Sequence, residues 1–180
     1  MEGLADFVKK LANALTAEGL EYAFTGALAA SYYGVPRTTA DVDVMVTVPQ
    51  KNAKARIASA LLSASLDVEE KQLADALTSG FRIATFHSKK APFRVDIILT
   101  DQIRKRNGTI AGVDTFLQAP EDLVNAKLRM IKATVERERT QKDEEDVRAI
   151  LRFTEIDRKI IQEQAKKDGT LAVWKQLTSP

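Results

Sequence analysis

The stretch Thr25-Gly26-Ala27-Leu28-Ala29-Ala30-Ser31-Tyr32-Tyr33-Gly34-Val35-Pro36-Arg37-Thr38-Thr39-Ala40-Asp41-Val42-Asp43-Val44-Met45-Val46 decides the fold. It passes from a glycine turn through a short helix of small residues to a second glycine and an arginine. Asp-Val-Asp then stands on an apolar strand. Residues two apart on a strand point to one face. Asp41 and Asp43 therefore share a face, while Val42, Val44, Val46 and Val48 turn the other way into a core. Two parallel carboxylates repel and call for a cation between them. A hard divalent ion such as Mg²⁺ takes carboxylate oxygens and keeps positions open for phosphate.

Outward from this stretch the periodicities alternate between helix and strand. Leu4, Phe7, Val8, Leu11, Ala14 and Leu15 predict a helix over 4–18 that Gly19 stops. Residues 21–25 read as a short buried strand, 27–33 as a helix ended by Gly34 and Pro36, and 42–48 as a strand closed by Pro49. Residues 50–64 fit an amphipathic helix and 70–77 a weaker one. The runs 81–87 and 93–99 alternate and are joined by Ser88-Lys89-Lys90-Ala91-Pro92, a hairpin pattern. Residues 110–117 read as one more strand, interrupted by Gly112. Pro120-Glu121-Asp122 opens a helix with proline first and acids next, after which only helical periodicity follows, over 121–134, 143–152, 156–166 and 169–177. The expected architecture is α+β, a mixed sheet flanked by helices over 1–119 with a helical tail over 120–180 packed on it.

The composition sets limits. At 180 residues and 44% hydrophobic, the chain is long enough to bury a full core. A net charge of +2, from 27 basic and 25 acidic side chains, is too balanced to point to nucleic acid. The absence of cysteine excludes disulfides and thiolate zinc sites and fits a reducing cytoplasm. No apolar run approaches the about 18 residues that span a bilayer, and residues 1–10 lack the apolar centre of a signal peptide. A cytoplasmic protein without membrane attachment is expected.

A third carboxylate extends the site. In Phe93-Arg94-Val95-Asp96-Ile97-Ile98-Leu99, residues 95, 97 and 99 form one apolar face, which puts Asp96 on the other with Arg94 and Ile98. Should this strand neighbour Asp41–Val48, three carboxylates fall on one side of one sheet, as in sites that hold two Mg²⁺ ions for in-line phosphoryl displacement. Gly26 matters because a turn without a side chain at a helix start lets backbone N–H groups approach phosphate.

These residues resemble the nucleotidyltransferases of the DNA polymerase β superfamily, closest to the minimal branch with AbiE-type and MNT-like members. The resemblance rests on Gly26-Ala27, Gly34, Asp41-Val42-Asp43 and Asp96, with Arg37 and Thr38 before the acid pair. It extends to the tail through Pro120-Glu121-Asp122-Leu123-Val124-Asn125-Ala126-Lys127-Leu128 and Lys142-Asp143-Glu144-Glu145-Asp146-Val147. It implies that Asp41, Asp43 and Asp96 bind Mg²⁺ or Mn²⁺ and are catalytic. It implies further that Gly26 and Ala27 cradle phosphate, that Arg37 and Thr38 contact it, and that Lys127 reaches the nucleotide. Ala27 departs from the pattern, since glycine or a phosphate-binding serine stands there in the family. Alanine keeps the backbone donor, loses the hydroxyl and tolerates a positive φ poorly.

Plainer readings stand beside these. Asp41 and Asp43 also fit solvated acids at a strand end, and Asp96 an acid on the open face of an edge strand. Arg37 also fits a partner for a nearby acid, Lys127 a solvated helix charge, and Lys142, Asp143 and Asp146 a helix start with acids toward its dipole. His87 fits a hairpin-end surface residue, since a single histidine makes no zinc site. Trp174 fits a packing anchor, and of Tyr32 and Tyr33 one is expected inside. Lys89, Lys90, Arg104, Lys105 and Arg106 fit either a basic rim for RNA or solvated loop charges.

The expected function is transfer of NMP from an NTP, ATP or CTP, to an acceptor hydroxyl on protein, RNA or a small molecule, with release of pyrophosphate. The alternative is a weakly active or inactive nucleotide-binding module, one half of a toxin–antitoxin-type pair with a partner protein. A metal-dependent phosphohydrolase shares the carboxylates but needs no glycine helix before them.

Overall fold

The computed structural model describes residues 2–49 and 51–179. Its elements are α1 (Leu4–Ala17), β1 (Tyr22–Phe24), α2 (Gly26–Tyr33), β2 (Asp41–Thr47), α3 (Ala53–Ser63), β3 (Leu66–Asp67), α4 (Glu70–Thr78), β4 (Ile83–Ser88), β5 (Arg94–Thr100), β6 (Lys105–Ile110), β7 (Val113–Gln118), α5 (Pro120–Ala133), α6 (Arg137–Phe153), α7 (Arg158–Lys167) and α8 (Leu171–Thr178). The expected α+β class, a mixed sheet with flanking helices, is the class found. Two compact units result: the stretch up to Leu28 with Thr38–Gln118, and Ala29–Arg37 with the stretch from Ala119 onward. Residues 29–37, outside the expected tail, thus belong to the helical unit.

In the sheet unit the strand order is β3-β4-β5-β2-β1-β7-β6. β2 runs parallel to β5, and β1 parallel to β7; the other neighbours are antiparallel. Alternation explains which face is closed. Val42, Val44 and Val46 of β2, Val95, Ile97 and Leu99 of β5, and Ala84 and Phe86 of β4 are all buried. Phe7, Val8, Leu11 and Leu15 of α1 and Ile57, Ala60 and Leu61 of α3 are buried as well, and α1 packs on α3. Each such aliphatic side chain contributes about 1.5–3 kcal/mol on leaving water, so a one-residue slip of β2 or β5 is strongly disfavoured.

Two strands were not visible in the pattern. β3 has only two residues. Residues 110–117 are not one strand: β6 and β7 form a hairpin with Ile110 opposite Val113, and Ala111-Gly112 make its two-residue turn. Both turn residues have positive φ, 49° and 79°. That matches the type I′ geometry whose twist suits a hairpin. β6, Lys105-Arg106-Asn107-Gly108-Thr109-Ile110, is an edge strand held by backbone pairing, with little apolar alternation to reveal it.

In the helical unit α5 packs against α6, α7 and α8. Its core holds Leu123, Val124, Leu128, Ile131, Val147, Ile150, Ile161 and Trp174. Gly34 owes its identity to close packing, since a Cβ there would lie 2.9 Å from Cβ of Ala149 on α6. Thr154 Oγ1 donates to Tyr33 O at 2.5 Å, fixing the end of α2 to the end of α6. Tyr33 is buried and Tyr32 is 45% exposed. α6 begins at Arg137, six residues before the expected start at 143, because its first turns are charged and carry no apolar period; Lys142–Glu138 (2.9 Å) and Arg148–Glu144 (3.3 Å) pair along it.

Ala111 holds a left-handed conformation that an asparagine takes more easily. Ala111→Asn is expected to stabilise the protein by about 0.5–1 kcal/mol, raising Tm by about 1–4 °C in a thermal melt. A fall in Tm would contradict the turn assignment.

Candidate active site

The open face of the sheet is arranged in rungs. Asp43 on β2 is the register partner of Asp96 on β5, and Asp96 that of Thr85 on β4. One rung along, Asp41, Arg94 and His87 are partners in the same way. On the other side, Met45, Ile98 and Ile83 form an apolar rung, with Ala23 of β1 opposite Met45. The three acids thus occupy two adjacent rungs of one face, with neighbouring strands about 4.8 Å apart. Strand alternation alone put Arg94 on this acid face, and its partners became clear only with the register.

Asp96 is held by two side chains. Thr85 Oγ1 donates to its Oδ1 at 2.6 Å, and an Arg94 Nη lies 3.9 Å from its Oδ2. Arg94 Nε is 3.3 Å from Asp41 Oδ1. The cation facing these carboxylates is therefore a guanidinium of the protein itself. Among the described residues, no group of three His, Asp or Glu side chains is arranged to hold a metal ion. The donors are right in kind, three carboxylates sharing a face, but as placed two of them, Asp41 and Asp96, face Arg94.

Gly26 lies directly against Asp43. It has φ 59°, and a Cβ built on it would overlap the Asp43 carboxylate, whose Cγ would be 2.7 Å away. Thr25 N donates to Asp43 O at 2.9 Å, carrying the β1–β2 pairing to the turn, and Thr25 Oγ1 donates to Gln118 Oε1 at 2.5 Å. Glycine is required here by both the backbone angle and the carboxylate. Ala27 does not have positive φ, so the strain expected of alanine at this position does not arise; only the hydroxyl is missing. Thr38 is exposed on the approach to β2. Its neighbour Thr39, which sequence reading passed over, makes the structural contact: Thr39 Oγ1 accepts from Asp41 N and donates to Asp41 O, both at 3.1 Å. Such a local hydroxyl turn is signalled only by a threonine two residues before a strand.

The helical unit holds Arg37 and Lys127. Lys127 is only 6% exposed, so it is not a solvated charge. Its Nζ donates to Asp143 Oδ1 at 2.8 Å and lies 2.7 Å from Asp146 Oδ2. An Arg37 Nη donates to the same Asp146 oxygen at 2.7 Å, and Arg37 N donates to Ser31 Oγ at 3.3 Å. Arg37 thus has the acidic partner of its plainer reading, whereas Asp143 and Asp146 lie inside α6 and not at its start, and hold Lys127 and Arg37. Of the basic run, Lys105 pairs with Glu21 at 3.1 Å and lies 4.4 Å over the Phe116 ring, and Lys89 is 3.6 Å from Asp67. His87 is exposed on β4. Trp174 is buried.

The fold is the nucleotidyltransferase-like one seen in solved structures. An antigenic nucleotidyltransferase-like protein from Paracoccidioides brasiliensis matches 96% of this chain and 88% of its own at 14% identity, with a TM-score of 0.64. The antibiotic-resistance factor ANT(2'')-Ia matches 96% of this chain and 91% of its own at 10% identity, with a TM-score of 0.61. The sequence matches no family model and no curated protein. No helix of the described residues is long and apolar enough to cross a membrane.

Two variants probe this geometry. Gly26→Ala is expected to cost about 1–3 kcal/mol in chemical denaturation, because φ and the Asp43 contact both oppose it. Lys127→Met leaves two largely buried carboxylates with Arg37 alone and is expected to cost about 2–4 kcal/mol. Adding Asp143→Asn to Lys127→Met should recover part of that loss. A Lys127→Met protein as stable as the parent would show the network to be energetically idle.

Proposed function

We propose that this chain is a divalent-metal-dependent nucleotidyltransferase that moves NMP from ATP or CTP to an acceptor hydroxyl and releases pyrophosphate. The observation that carries the reading is the rung Asp43–Asp96 beside Asp41, with the Gly26 turn against Asp43, in a nucleotidyltransferase-like fold. In this reading Asp41, Asp43 and Asp96 hold Mg²⁺ or Mn²⁺, which when bound neutralises triphosphate and acidifies the acceptor hydroxyl. The backbone N–H groups at Gly26 and Ala27 bind phosphate oxygens at the start of α2. Thr38 adds a hydroxyl to the phosphate. The acceptor oxygen attacks the α-phosphorus as the bond to the bridging oxygen of the β-phosphate breaks, and Asp96 receives the acceptor proton. The acceptor hydroxyl belongs to a protein, an RNA or a small molecule, and a cytoplasmic location fits NTP as donor.

A second reading is a weakly active or inactive nucleotide-binding module of a toxin–antitoxin-type pair, with a partner protein. Two features favour it: the hydroxyl missing at Ala27 and the guanidinium that already faces Asp41 and Asp96.

Incubation with α-labelled ATP or CTP, Mn²⁺ or Mg²⁺, and cell extract separates the two. Transfer of label to an acceptor, lost on chelation and reduced at least about 100-fold by Asp43→Asn with folding intact, is the result expected of the enzyme. Nucleotide binding without label transfer would favour the module. Label transfer undiminished by Asp43→Asn would overturn the assignment of the site.

A further inference from the structure

We propose that Arg94 is a tethered counter-cation that offsets part of the charge of the carboxylate face and competes with a divalent ion for Asp41 and Asp96. The inference rests on the metal-binding reading of Asp41, Asp43 and Asp96 and adds how access to that site is controlled. Three acids within two rungs of one face repel each other, and some cation must balance them. Arg94 supplies part of that balance from within the same sheet. It stands directly across from Asp41, with Nε 3.3 Å from Oδ1, and two residues before Asp96, with an Nη 3.9 Å from Oδ2. Because Thr85 already holds Oδ1 of Asp96, both oxygens of that carboxylate have partners. A divalent ion arriving at Asp41 and Asp96 therefore meets the repulsion of the Arg94 charge unless Arg94 gives way.

Two properties make Arg94 a displaceable occupant and not a fixed one. Its long, unbranched stem lets the guanidinium swing away from the acids while the backbone stays in the sheet. Its side chain is 48% exposed, so water waits for it and leaving carries no burial cost. The exchange is then one cation for another on the same oxygens. Once displaced, the planar fork has five donors suited to bidentate contact with phosphate. An ion arriving with a triphosphate would offer Arg94 a new anion as it takes the old ones. The face would thus favour a metal–nucleotide complex over the bare ion.

Mn²⁺ titration followed by electron paramagnetic resonance tests this on the wild type, Arg94→Gln, Arg94→Lys and Asp43→Asn. The expected result is Mn²⁺ binding about three- to tenfold tighter in Arg94→Gln than in the wild type, with Arg94→Lys between them. In EDTA, Arg94→Gln should melt below the wild type, and adding Asp41→Asn should restore Tm by removing the uncompensated acid. Equal Mn²⁺ affinity in the wild type and Arg94→Gln, with binding lost in Asp43→Asn, would overturn the competitor role while leaving the metal-binding reading intact. Failure of all four proteins to bind Mn²⁺ at millimolar concentration would overturn both.

Discussion

Like charges brought together on one sheet face have to be balanced, and much of this molecule's candidate chemistry follows from how that is done. The apolar sides of β2 and β5 set the register, because Val42, Val44 and Val46 lie level with Val95, Ile97 and Leu99 in the core. Once these valines and leucines are paired, Asp43 must stand beside Asp96, and Asp41 beside Arg94. The open face has no freedom to separate its acids without exposing the closed one. Part of the charge is therefore offset locally, by Arg94 across the strands, while the Thr85 hydroxyl hydrogen-bonds Asp96.

The same constraint explains the glycine at the head of α2. β1 pairs with β2 until Thr25 N reaches Asp43 O, and the chain then turns into the helix against the Asp43 side chain. Only a residue without Cβ passes there. A backbone turn forced close to a carboxylate leaves its N–H groups near the place where an ion would carry phosphate. A conformational requirement and a proposed binding role thus meet at one residue. At Ala27 they separate, since its backbone is unstrained and only the hydroxyl is lost.

Much of this was legible in the sequence, for identifiable reasons. Period-two alternation in 41–48 and 93–99 placed Asp41, Asp43, Asp96 and Arg94 on one side of their strands, because burial of the opposite side leaves a strong pattern. β6 was hidden because an edge strand held by backbone bonds needs no apolar period. The start of α6 was hidden because charged turns follow i,i+4 pairing and not burial. Lys127 misled as a surface charge, since periodicity counts a lysine as polar. Its burial depends on Asp143 and Asp146, 16 and 19 residues further on, a distance no local pattern reports. The partners of Arg94 were likewise a matter of register, which alternation does not give.

The central claim is that the Asp41, Asp43 and Asp96 face is a cation and triphosphate site. Anomalous diffraction from crystals grown with Mn²⁺ and a non-hydrolysable ATP analogue tests it most directly. The account predicts a Mn²⁺ peak ligated by Asp43 and at least one of Asp41 and Asp96, with triphosphate oxygens at the Gly26 turn and Arg94 moved off Asp96. Nucleotide bound elsewhere, or no Mn²⁺ on this face while Arg94 still spans Asp41 and Asp96, would contradict it.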